Sequence, residues 1–170
     1  MNTANKPEVW LRGKIPEVPD LLQPAAHALL QAVEDVQKYT EDFSEKKLWI
    51  RPAGRASAGF HLQHLTGVLD RMLTYAAGKE LTAEQLDYLK NEGMPLDEVN
   101  VKLLVNAFQK KVEEAISIFR NIPERVLTEK RGVGRKQLPS SVIGLYFHAA
   151  EHSQRHVGQL LVTISVVKID

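Results

Sequence analysis

The chain has no cysteine, which removes disulfides, thiolate metal sites and cysteine nucleophiles together. Any metal must therefore be held by histidine and carboxylate. A surplus of charge of one sign is also missing. Lys and Arg number 22 and Asp and Glu 21, giving a net charge of +1 and a pI near 8.0, so no strong field points toward nucleic acid or a membrane surface. No apolar run follows the first lysine, and nothing approaches the ~20 apolar residues of a membrane span. Neither a signal peptide nor a transmembrane helix is expected, and the cytoplasm is the expected compartment. No phosphate-cradling loop, nucleophile elbow or internal repeat is visible.

What is present fits one domain over residues 1–170. That length can bury a real core, and 44% hydrophobic with 25% charged residues is ordinary for a globular protein. Residues 1–19, punctuated by Pro7, Gly13, Pro16 and Pro19, read as an extended arm. Trp10, Leu11 and Ile15 are too apolar for a free tail, so the arm is expected to lie across the domain. Asp20 is the expected cap of a first helix running to Asp42, with Leu22, Ala26, Leu29, Leu30, Val33 and Val36 as its buried stripe. Ser57 caps a second helix to about Ala76. Thr82-Ala83-Glu84-Gln85 reads as a capping box opening a short helix to about Asn91. Asp97 is the expected cap of a long helix to Asn121, whose stripe is Val101, Leu104, Val105, Phe108, Val112, Ile116 and Phe119. Residues 124–139 form the most polar region, and a last helix runs from Ser140 to about Val167. Four long helices, with one long crossover between the second and third, make an all-α four-helix bundle.

The last helix carries the chemistry. His148, His152 and His156 place half of the six histidines within nine residues, and residues four apart lie one above another on a helix face. A triple imidazole stripe suggests a divalent metal. His148 and His156 are about 12 Å apart along the axis at ~1.5 Å rise per residue, so one ion takes two adjacent rungs and needs a third ligand from elsewhere. Phe60-His61-Leu62-Gln63-His64-Leu65 and the more isolated His27 are the sources on offer. The residues alone leave two readings open, a metal site and ordinary core histidines. On the second helix Phe60, His64, Val68, Arg71 and Tyr75 share a stripe that suggests a pocket wall. In the plainer account Arg71 pairs with a glutamate and Tyr75 caps the core. Lys130-Arg131-Gly132-Val133-Gly134-Arg135-Lys136 reads as a solvated basic turn rather than an anion-binding loop, because it lacks aromatics to stack bases.

Several of these segments together resemble the DinB/YfiT-like superfamily. They are Trp49 and Pro52, Phe60 to Leu65, Asp70-Arg71 with Tyr75, and Glu151-His152-x-x-x-His156-x-Gly158-Gln159. The likeness runs from about Pro24 to the C-terminus, and the His-x-x-x-His-x-Gly-Gln signature is its most specific part. It implies a four-helix bundle in up-down-down-up order. It also implies one divalent ion, Zn or Ni with Mn or Fe as further options, held by His64, His152 and His156. Such a site leaves coordination positions open, as catalytic sites do. The activities implied are those of a metal-dependent hydrolase or a thiol S-transferase, acting on a small molecule and drawing on a low-molecular-weight thiol. Arg71 and Tyr75 are then the candidates for binding an anionic substrate group or a developing oxyanion. Glu151 or Gln159 are candidates for orienting an imidazole, although an ion pair of Glu151 with Arg155 is a simpler account. The alternative is a non-catalytic metal-binding or stress-response scaffold. A homodimer is expected through the apolar tail Leu160 to Val167 or the arm, and neither nucleic acid nor membrane is expected as a partner.

Overall fold

A computed structural model of the chain describes residues 6–95 and 98–169. It is mostly helical, with one small two-stranded sheet. The elements are α1 (Gln23–Thr40), α2 (Ala58–Ala76), α3 (Ala83–Asn91), α4 (Val101–Asn121), β1 (Lys130–Val133), β2 (Leu138–Ser141) and α5 (Val142–Ile169). The long helices pack in a ring, α5 against both α1 and α2, and α4 against the same two. Their apolar stripes meet in one core containing Leu22, Leu29 and Val36 of the α1 side, Leu62, Leu65 and Leu69 of α2, Phe108, Val112 and Phe119 of α4, and Leu145, Leu160 and Ile164 of α5. Helix propensity alone rarely holds such segments, and burial of these faces is what stabilises them.

The helix starts are set by local chemistry. Ser57 accepts a hydrogen bond from the Phe60 amide, and Thr82 with Gln85 forms a complete capping box, each satisfying amides that a helix leaves unpaired. Asn100, not the expected Asp97, caps α4 by accepting from the Leu103 amide at 2.9 Å; Asp97 lies outside the described residues. Asp20 does not cap α1. It opens a 3-10 turn and pairs with Lys14 at 2.7 Å, and α1 ends at Thr40 rather than Asp42.

Two segments differ from expectation. The polar stretch before the last helix contains an antiparallel hairpin pairing Lys130 with Ser141 and Val133 with Leu138. Ser140 and Ser141 therefore belong to β2, and α5 begins at Val142. Strands of four residues with glycine and proline inside carry almost no periodic signal. The arm does cross the domain, but Trp10 and Leu11 stay 60% and 56% exposed, whereas Val9 and Val18 are buried. Its fixings are largely polar. Arg12 grips Glu34 through two hydrogen bonds of 2.5 and 2.7 Å, and the Val9 amide donates to Gln31 at 2.9 Å. No helix of the described residues is long and apolar enough to cross a membrane.

Candidate metal centre

Helices α2 and α5 make the most extensive contact in the molecule, and their facing sides carry the histidines. His64, His152 and His156 each offer a nitrogen, and the three atoms lie within 4.8 Å of one another. Ring centroids are 4.3 Å apart for His64 and His156, 4.7 Å for His152 and His156, and 5.2 Å for His64 and His152. Phe60 stacks on His64 from the preceding turn, with centroids 5.3 Å apart.

The ring orientations follow from their outer partners. His64 Nδ1 lies 2.6 Å from Glu92 Oε2. A carboxylate only accepts, so the proton sits on Nδ1 and the lone pair on Nε2 faces inward. That Nε2 is 2.9 Å from His152 Nε2, and two imidazole lone pairs this close repel unless a proton or a cation sits between them. His152 Nδ1 is buried with no hydrogen-bond partner among the described residues, and its Nε2 is the atom turned to His64. His156 is held from behind by His61, Nδ1 to Nδ1 at 3.0 Å, which leaves its Nε2 free to ligate.

The surroundings favour the neutral form of His61, His152 and His156. Burial, followed by the nearby His64, pushes His61 down to about 4. Burial with His64 and His152 pushes His156 down to about 3. His152 is lowered by burial and by His64. A neutral imidazole is the ligating form. The donor set therefore fits a divalent ion that accepts nitrogen ligands.

Glu92 is the organising residue that the sequence did not reveal. Its side chain is 4% exposed and sits between His64 and Arg71, both at 2.6 Å. Burial alone would raise its carboxyl, but the hydrogen bonds from His64 and Arg71 outweigh it and hold the group below its ordinary value. On α2, His64 and Arg71 are two turns apart on one face, and Gly67 lies between them. A Cβ there would strike Glu92 Oε1, with Tyr88 Cε1 at 2.7 Å and Arg71 Nη1 at 2.8 Å. Glycine thus makes the groove the carboxylate occupies. Helix α3 delivers Glu92 into it. Tyr88 donates to the Gln63 carbonyl at 2.9 Å and the Gly93 amide donates to Gln63 Oε1 at 2.6 Å.

The remaining candidates are placed elsewhere. Arg71 is buried and its Nη1 is committed to Glu92, the plainer of its two expected roles. Tyr75 lines a separate cavity with Lys79 and Arg135 and does not join the histidines. His27 Nε2 donates to the Gly13 carbonyl at 2.9 Å, tying the arm down. His148 bonds Glu151 at 2.8 Å, and Glu151 also takes Arg155 at 2.7 Å. His148, Glu151 and His152 form a second group with ligand spacing, but its carboxylate also pairs with Arg155 from outside the group. Gln159 is exposed and orients no ring.

The triad of nitrogens sits on the second and last long helices, braced by a buried carboxylate. The family model of the DinB superfamily matches residues 12–160. The chain belongs to the DinB superfamily. That superfamily is metal-binding, and the histidine triad of this member can hold a metal. The matched range spans α1 to α5 and includes all three histidines and Glu92. No curated protein matches the chain.

Proposed function

We propose that this DinB-superfamily chain is a metal-dependent enzyme whose divalent ion is held by His64, His152 and His156. Zn and Ni suit the three imidazoles best, with Mn or Fe as further options. The observation that carries the reading is the inward-facing His64 Nε2, fixed by the Glu92 bond to Nδ1 and set beside two neutral imidazoles. A carboxylate behind a ligating histidine is the usual way of orienting the ring and raising its basicity. Three protein donors, with no fourth in the group among the described residues, support open coordination positions, the catalytic rather than the structural pattern. An ion so held supplies Lewis-acid activation of a water or a thiol.

The chain's own residues do the rest. Glu92 keeps the His64 proton on Nδ1, His61 supports His156 from behind, and Arg71 neutralises the carboxylate between them. The reaction proposed is transfer to a low-molecular-weight thiol or hydrolysis of a small ester or amide. We read the bundle as up-down-down-up, which the ring of helix contacts supports. We also read a homodimer, formed through Leu161, Val162, Val166 and Ile169, the large apolar residues of α5 left exposed toward its end. Sedimentation of the purified chain tests the dimer.

The function is tested by metal analysis of the wild type beside His64→Ala and His152→Ala, followed by parallel assays of thiol conjugation and of ester and amide hydrolysis. One ion per chain in the wild type, loss of metal from both variants, and metal-dependent turnover in one assay are expected. Variants that keep a full metal load would overturn the ligand set, and metal without turnover in any assay would favour a scaffold.

A further inference from the structure

The N-terminal arm builds a cavity of about 790 Å³ against α1 and the near side of α5, within the size range of small-molecule sites. It is separate from the histidine cluster. Gln154, its contribution from α5, points to α1 and donates to the Ala28 carbonyl at 2.7 Å, whereas His152 and His156 meet α2. The arm's outer wall is Trp10, which is exposed yet fixed: its indole N–H donates to Glu8 at 2.6 Å. Trp10 thus lines the cavity as a large aromatic, 60% exposed and held at its edge. Pro24 and Ala28 line the opposite side.

The charge of the lining is one-sided. Glu8, Asp20 and Asp35 face the cavity with Lys14 as the one Lys or Arg. Lys14 is paired with Asp20 at 2.7 Å, so Glu8 and Asp35 have no cationic partner among the described residues. Asp35 takes one hydrogen bond, from the Gln31 amide at 2.9 Å through Oδ1. The rim is set before any ligand arrives. Gln23 donates to the Ile15 and Val18 carbonyls at 2.9 and 2.8 Å, and His27 holds Gly13. A preformed wall lowers the ordering cost of binding.

We propose that this arm-built cavity is a second binding site, taking a small organic ammonium ion with an aromatic or alicyclic body. The body lies on the Trp10 ring and on Pro24 and Ala28. The cation lies over the Trp10 ring beside the Asp35 carboxylate, with the Glu8 carboxylate at the ring edge, where ring quadrupole and carboxylate charge act together. An anion of the same shape meets two unpaired carboxylates and is rejected.

Calorimetric titration of the full-length chain with phenethylammonium, beside 3-phenylpropionate as a control of similar shape, tests the site. Saturable binding of the ammonium ion and none of the carboxylate are expected. Trp10→Leu keeps apolar bulk but removes the aromatic face and should weaken binding roughly tenfold. Asp35→Asn keeps the side-chain shape and should weaken it several-fold, and neither change should alter the metal load. No ammonium binding at millimolar concentration, equal binding of the two probes, or unchanged affinity in Asp35→Asn would each overturn the proposal. So would unchanged affinity in Trp10→Leu.

Discussion

At the scale of single residues, Glu92 decides most of the candidate metal centre. It couples a histidine that must present Nε2 to an arginine that has no other charge partner among the described residues. Breaking a buried pair from one side leaves an uncompensated charge, which costs about 3–5 kcal/mol. Glu92→Gln should therefore lower stability in urea by about that much and weaken metal binding roughly 10- to 100-fold. Adding Arg71→Met removes the stranded cation and should restore most of the stability while metal affinity stays low. A single variant as stable as the wild type would contradict the pair's burial. The histidines predict a second effect. Burial lowers His61 to about 4 and His156 to about 3, from an unfolded value of 6.5. Between those limits the unfolded chain binds more protons than the folded one. Stability is thus full above about 6.5 and falls as pH drops toward 4, by about 1.4 kcal/mol per pH unit for each proton in the difference. Glu92, held below 4.5, extends the loss further into acid. Urea titrations in chelator from pH 7 to 4 should show this slope, and a flat profile would count against neutral buried rings.

At the scale of elements, the short helix α3 is the piece whose role is easily underrated. It buries no side chain of its own, yet Tyr88 and Gly93 seat it on Gln63 and so aim Glu92. Gly67 gives it room. Gly67→Ala sets two effects against each other: alanine is better in a helix interior by about 1 kcal/mol, while crowding a filled site costs about 1–3 kcal/mol. The would-be Cβ meets the carboxylate, the tyrosine ring and the guanidinium together, so crowding wins. A net loss of up to about 2 kcal/mol and weaker metal binding are expected by thermal melts and metal competition. An alanine variant that melted higher and bound metal normally would show that Glu92 can retreat at little cost.

At the scale of the whole molecule, the proposed ion would staple α2 to α5 across the largest helix contact. A ligand that binds the folded state alone stabilises by about 2.7 kcal/mol at one hundred times its Kd. For a chain of this length that corresponds to a rise of roughly 5–10 °C in Tm. The rise should appear on adding Zn or Ni, vanish in chelator, and be missing in His64→Ala. Equal shifts in wild type and variant would place the ion elsewhere, with His148, Glu151 and His152 the next group to try.

The sequence by itself determined the helical stripes, the Ser57 and Thr82 caps and the histidine ladder, because these depend on spacings of three and four that the chain carries locally. Spacing alone left open which histidines converge, and only the family resemblance singled out His64, His152 and His156; what Arg71 does and how the arm packs stayed open, and nothing pointed to the hairpin or to Glu92. Those are contacts between residues far apart in the chain. His64 and Glu92 are separated by 28 positions, and His61 and His156 by 95. Only the packing of α2 between α3 and α5 brings them within hydrogen-bond reach, so the tertiary structure decided how the candidate metal centre is braced and which candidates lie outside it.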